Sequence, residues 1–261
     1  MAEKGLKMAK GQRGRRRQDM AKRFGFIEWF RKAKLFGILI LFIFLFCQKY
    51  NEEFEPQLNV FCILKNNRPY QKVVVDRIYG MDEKSIYDLE DVQVILSGNG
   101  ICDTLVEDSI LGVFVTRDTF PVVHGQTYHL QVSAKGFDTI RGVTTVPDSF
   151  EIIFPEDGDT VQLLDTMIIK WKNRHQWVRL ELYYQDSLLC WNFYGMVGDT
   201  ILELPFWSCL YDTGYYRLMV GVYDSNYVNY NIDASKLQCG IENGIGLFGS
   251  AFMLEAEFYY Q

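Results

Sequence analysis

Histidine is scarce: His124, His129 and His175 are the three in a chain of 261 residues. None stands in a His-Glu-x-x-His or similar ligand spacing, which argues against a zinc hydrolase of that kind. A Gly-x-Ser-x-Gly elbow, a phosphate-cradling loop and a dinucleotide fingerprint are also missing, so the common hydrolase, nucleotidase and nucleotide-cofactor classes have no support. The six cysteines include no Cys-x-x-Cys pair, which argues against a structural zinc site. Nor does any apolar run approach the ~20 residues that a helix needs to span a bilayer. Leu35–Phe46 is the one candidate segment.

What is present is asymmetric charge. Residues 1–34 hold twelve of the 27 Lys and Arg but only three acids (Glu3, Asp19, Glu28), leaving 15 basic against 30 acidic residues beyond. A basic stretch followed by an apolar run of this length has the layout of a secretory signal. Basic flanks stay on the cytoplasmic side, so residues 48–261 are expected outside the cytoplasm. The block Arg13-Gly14-Arg15-Arg16-Arg17 then reads as part of the arm rather than as a nucleic-acid site. Cys47 closes the apolar run where a bacterial lipoprotein carries its acylated cysteine. The bulky Phe46 stands where the signal peptidase prefers a small residue, so an uncleaved signal anchor stays open as the alternative.

Hydrophobic residues make up 48% of the chain and aromatics 15%, enough to build a packed core. After a spacer over 48–57, apolar residues alternate with period two, as in half-buried strands. Leu58, Val60, Cys62 and Leu64 mark one strand, Val73 and Val75 another, and Val92, Val94 and Leu96 a third that enters the hairpin turn Gly98-Asn99-Gly100. Ile110–Thr116, Tyr128/Leu130/Val132 and Phe137–Val146 continue the series to Pro147. Beyond it, Met167/Ile169/Trp171, Val178/Leu180/Leu182/Tyr184, Cys190–Tyr194, Ile201–Leu204, Tyr216/Leu218/Val220 and Ala251–Tyr260 repeat the pattern. Short strands with regular turn signals point to β-sandwiches. Gly125-x-x-Tyr128-x-Leu130-x-Val132 parallels Gly214-x-Tyr216-x-Leu218-x-Val220, each suited to a tyrosine corner, with Trp171 as a core plug of the second sandwich. The expected architecture is all-β: a basic arm (1–34), a signal or anchor segment (35–47), a spacer (48–57) and two Ig- or fibronectin-III-like sandwich domains (58–147 and 148–261).

The stretches Phe54–Leu64 and Arg68–Val75, with the glycine-rich run Ile241–Ser250, resemble the domain of unknown function 4249 family of Gram-negative envelope lipoproteins. The resemblance extends over most of 47–261 and implies an outer-membrane or surface location. It also implies a companion role beside TonB-dependent outer-membrane receptors. Cys62 departs from the small residue, such as glycine, that is usual in the family at its position.

The function expected is therefore a membrane-anchored, extracytoplasmic, non-enzymatic module that binds a surface partner, with no cofactor and no nucleic acid. A structural or adhesive surface module is the alternative, and a hydrolase with an unrecognised site the remote one. Candidate residues are Cys47 for lipid attachment and Tyr223, Tyr227 and Tyr230 in a paratope-like loop. Cys190 and Cys209 form a candidate disulfide. Glu156, Asp157, Asp159 and Asp165 cluster near one turn, but their spacing is not that of a calcium loop and suits turn formation better. His124 and His175 are expected on solvated turns.

Overall fold

The computed structural model describes residues 55–261 except 82, 85–86, 163, 172–176, 196–200, 206–209, 211 and 234; of 171, 193–195 and 204–205 it describes the backbone. The arm, segment 35–47 with Cys47, most of the spacer, His175 and Cys209 lie outside these residues, as does the Trp171 side chain.

Eight strands precede Pro147: β1 (Leu58–Lys65), β2 (Lys72–Arg77), β3 (Gln93–Gly98), β4 (Ile101–Thr104), β5 (Val106–Glu107), β6 (Val113–Val115), β7 (Thr127–Ser133) and β8 (Ile140–Thr145). Seven follow up to the one helix described: β9 (Phe150–Phe154), β10 (Thr160–Val161), β11 (Thr166–Trp171), β12 (Trp177–Tyr184), β13 (Ser187–Gly195), β14 (Ile201–Pro205) and β15 (Gly214–Tyr223). Helix α1 (Ser225–Ile232) comes next, then β16 (Gln238–Cys239), β17 (Ile241–Glu242) and the sixteen-residue β18 (Ile245–Tyr260). The fold is all-β, built as packed sheets.

Two main cores match the two alternating series. Val60, Leu64, Val73, Leu96, Tyr128 and Ile140 belong to the first, between the β1–β2–β6 sheet and the sheet β17-β8-β7-β3-β4. Ile169, Val178, Leu180, Tyr216, Val220 and Phe258 belong to the second, between β14-β11-β9 and β13-β12-β15-β18. Core membership changes between Val146 and Phe150. The turn at Gly98–Ile101 has Asn99 at φ 50° and Gly100 at φ 75°, the left-handed pair that a tight hairpin demands. Both tyrosine corners close. The Tyr128 hydroxyl donates to the Pro121 carbonyl (3.0 Å) and accepts from the Val123 amide (2.8 Å). The Tyr216 hydroxyl donates to the Asp212 carbonyl (2.8 Å) and accepts from the Asp212 amide (3.3 Å).

Two sequence expectations need correction. The closing strand begins at Ile245, not Ala251, and its first half runs parallel to β1 from Asn59↔Ile245 to Lys65↔Ala251. Its second half runs antiparallel to β15 from Tyr223↔Ala251 to Gly214↔Tyr260. Residues after 148 thus also supply the first core, through Ile241 and Phe248. Glycine hid this half-strand, because Gly246 lowers β propensity. The backbone requires it, however: Gly246 sits at φ 112°, and a Cβ there would overlap the Val60 carbonyl oxygen. Where β1 ends, Asn66 extends the ladder with its side chain, accepting from the Met253 amide (2.6 Å) and donating to the Met253 carbonyl (2.9 Å).

The second correction concerns 223–230, expected as a loop. Ser225–Ile232 is helical, and the Asp224 side chain caps it by accepting from the Tyr227 amide at 2.9 Å. The helix lies over the mid-strand switch of β18, where Tyr223, Val228, Ala251 and Met253 form a small third core.

Gly246→Ala is expected to cost about 3 kcal/mol, from the left-handed backbone penalty plus the steric overlap. Gly100→Ala, with open space around its Cβ position, should cost only about 1 kcal/mol. Urea denaturation midpoints measure both; equal costs would contradict the close β1–β18 approach.

Candidate functional site

Side chains at alternate positions of β12 leave the core together. Arg179, Glu181 and Tyr183 line this outer face, joined by Trp191 of β13, which is in register with Glu181, and by Arg217 of β15, in register with Tyr183. The Glu181 carboxylate is held from both sides: Arg179 approaches Oε1 at 2.6 Å, and the Tyr183 hydroxyl donates to Oε2 at 2.6 Å. The Arg179 guanidinium lies 5.3 Å from the Trp191 ring centre, and that of Arg217 lies 5.0 Å from Tyr183. Arg217 ends the row at Asp186, 3.3 Å away. Burial, and then the bond to Glu181, raises the Tyr183 phenol above its ordinary value.

These residues form one row across three strands. Every charged group in it already has a partner, and aromatic rings hold the guanidinium planes in place. Tyr, Trp and Arg are the residues that carry most energy at interfaces. Trp191 keeps 60% of its surface exposed.

Tyr223 and Tyr227 join the row at one end. Their rings stack with centroids 4.2 Å apart, and both interact with Arg179. Burial, foremost, pushes the Tyr223 phenol well up. Beside them, burial and then Arg68 lower the Lys65 ammonium. Tyr230 is not part of this group: it turns edge-on to Phe61 of β1, centroids 6.1 Å apart. The structure therefore brings two of the three loop tyrosines to one site. It adds Arg179, Glu181, Tyr183, Trp191 and Arg217, which the sequence reading passed over as strand residues. Period-two polarity along β12 was the available signal.

The acidic turn residues have other work. Asp159 accepts from the Glu156 amide (2.8 Å), Asp165 from the Gln162 amide (2.7 Å) and Asp157 from the Glu257 amide (2.8 Å). No group of three or more His, Cys, Asp or Glu suited to a metal ion occurs among the described residues. His124 is exposed, as expected of its turn, with its ring edge-on to Phe252 at 5.6 Å. His129 lies in a hollow of about 490 Å³ on the outer face of β7, opposite Ser97. A larger polar cleft, about 940 Å³, is lined by Gln57, Asp138, Lys236 and Gln238 among others, with no histidine or cysteine among its described lining residues. Cys190 is disulfide-bonded, while Cys62, Cys102 and Cys239 are free.

One buried polar group sits behind the row. Asp224 accepts from the Thr144 hydroxyl (2.5 Å), and Thr144 also bonds the Ser250 hydroxyl (2.8 Å). Burial raises the Asp224 carboxyl above its ordinary value, and these hydrogen bonds only partly offset it.

No family model matches the chain, and no curated protein is similar to it. Among solved structures, the N-terminal Ig1-2 module of the Drosophila receptor protein tyrosine phosphatase DLAR aligns at 11% identity, covering 80% of this chain and all of that one. The TM-score is 0.25. A likeness that low carries no argument, and the sandwich description above rests on the strands themselves.

Because its folded value is raised, Asp224 contributes stability that is fully present below the ordinary carboxylate range and lost as pH rises through the raised value. Asp224→Asn cannot ionise and should flatten that part of the stability–pH profile. Asp224→Ala should cost about 1–3 kcal/mol at low pH, since it removes the cap and leaves the Thr144 hydroxyl without its acceptor, and less as pH rises, because only the wild type ionises there. Urea titrations between pH 4 and 8 decide this: parallel wild-type and Asn profiles would refute the assignment.

Proposed function

We propose that the chain is an extracytoplasmic, membrane-tethered sandwich module that binds a surface partner through the Arg179–Trp191 row. The observation that carries the compartment is the disulfide at Cys190, because stable disulfides belong to oxidising compartments. The basic arm and apolar run at 1–46 support the same side of the membrane. The strand orders β14-β11-β9 and β13-β12-β15-β18 support a fibronectin-III-like second sandwich. No helix among the described residues is long and apolar enough to cross a membrane, so the tether is assigned to residues 35–47, through acylated Cys47 or a retained anchor. With Cys62, Cys102 and Cys239 free, Cys209 is the partner we assign to Cys190, leaving Cys47 for lipid. An outer-membrane receptor of the TonB-dependent class is the partner that the family resemblance favours.

Mass spectrometry of the mature chain tests the placement. A diacylglyceryl group on Cys47 and a Cys190–Cys209 peptide under non-reducing digestion are expected, and a Cys190 thiol recovered free from cells would sink the compartment reading. Co-purification from detergent-solubilised envelopes tests the partner. Trp191→Ala with Arg217→Ala should lower receptor recovery at least tenfold without shifting the melting temperature by more than a few degrees. Undiminished recovery would separate the row from binding.

A further inference from the structure

His129 has no part in the row described above, and its surroundings differ from that row in one respect. Around Arg179 the charged groups are partnered by their neighbours; around His129 they are not. Alternation along β7 and β8 sends His129, Gln131, Arg141 and Val143 to the outer face of the five-stranded sheet. Register sets them side by side: Gln131 opposite Arg141, Arg141 opposite Glu242 of β17, and His129 between Ser97 of β3 and Val143 of β8. All of them line the hollow of about 490 Å³, a size within the range of small-molecule sites. Among the described residues, none hydrogen-bonds to the side chain of Ser97, His129, Gln131, Arg141 or Glu242. No ion pair joins Arg141 to Glu242 there, although the two are in register. Apart from Arg141, the outward positions of β3, β7 and β8 hold no Lys, Arg, Asp or Glu.

We propose that this hollow binds a neutral saccharide. Side chains do the reading, because the backbone of β3, β7 and β8 is committed to ladders on both sides. They offer donors and acceptors intermingled: donors from Arg141 and His129, an acceptor from Glu242, and both from the Gln131 amide and the Ser97 hydroxyl. A sugar hydroxyl also donates and accepts, so a ring bearing several of them satisfies both kinds at once. Val143, 50% exposed, adds an apolar patch for the C–H face of such a ring. Other ligands fit less well. An anion drawn to Arg141 meets Glu242 beside it, and a cation meets the reverse. A zwitterionic amino acid would pair with both charges and leave His129 and Ser97, further along the sheet, unused. A polyanion such as nucleic acid needs an excess of Lys and Arg, which this face lacks. An apolar ligand would bury these polar side chains unpaired, at a cost for each. The site lies on a different sheet from the Arg179–Trp191 row and stands without the compartment, the tether or the receptor.

A glycan array bearing neutral and acidic glycans, probed with the full chain in a detergent free of sugar headgroups, tests it. At least one neutral glycan should bind. Titration calorimetry with that glycan should show at least tenfold weakening for Arg141→Ala and for Gln131→Ala, with the wild-type melting temperature retained. Leu111→Ala, which alters an exposed leucine in the β5–β6 connection, should leave the affinity unchanged. Binding confined to acidic glycans, no binding to any glycan, or an affinity undiminished by both hollow variants overturns the proposal. So does tighter binding of free glycine than of any neutral glycan, or an equal loss in the Leu111 variant. Nuclear magnetic resonance of the wild type covers the case in which the hollow variants misfold. The glycan should shift the His129 ring resonances, and shifts confined to residues outside the hollow overturn the proposal equally.

Discussion

The structure depends on one strand being built into two cores. β18 lends Phe248 to the first core and Phe258 to the second, ten residues apart and on the same face of the strand. Phe252, between them, packs against both cores and meets Phe150 of the second sandwich edge-on at 5.9 Å. A sixteen-residue strand cannot slip by one position without turning both inward sets outward, so the register of each sandwich constrains the other. The described residues 55–261 fall within one compact unit.

The switch point on β18 determines what surrounds it. At Ala251 the strand has Lys65 of β1 on one ladder and Tyr223 of β15 on the other. Ser250, one residue earlier, completes the buried polar group in which Thr144 of the first sandwich reaches Asp224 of the helix cap. Asp224 thus caps a helix, bonds a strand of the other sandwich and anchors its own amide on the Ser250 carbonyl at 3.0 Å. A charge in so dry a place is costly. The hydrogen bonds from Thr144 and from the Tyr227 amide hold this carboxyl in one geometry between the two sandwiches.

Much of this could be read in advance, where a residue's role follows from its immediate neighbours. Alternation in Leu58–Leu64 or Val178–Tyr184 reports a sheet with one dry face, and the two corner tyrosines follow from glycine-to-tyrosine spacing ahead of an alternating strand. The first half of β18 was illegible because Gly246 answers to the carbonyl of Val60, a residue distant in the chain. Helix α1 was missed although Asp224 offered a cap, since its two tyrosines and three asparagines read as a loop. The Arg179 row illustrates a third case. Polar residues on a strand's outer face are ordinary singly, and only the register of three strands shows that Trp191, Glu181, Tyr183 and Arg217 meet.

The cysteines bring fold and compartment together. An odd number of cysteines beyond Cys47 cannot pair completely, which looks unfavourable for a chain outside the cytoplasm. Burial answers most of the objection. Cys62 is fully enclosed in the first core, and loss of water pushes its thiol far above the ordinary range, so the reactive thiolate is suppressed. Cys239 is also buried and shifted upward, chiefly by desolvation. The Cys62 thiol, on an inward position of β1, packs as a modest hydrophobe. Cys102 alone among the free thiols is exposed. It sits on a short edge strand whose neighbour Asp103 accepts from the Arg117 amide at 2.9 Å. Two of the three free thiols are therefore withdrawn from solvent by the packing of the core, which leaves Cys102 as the accessible one among the described residues.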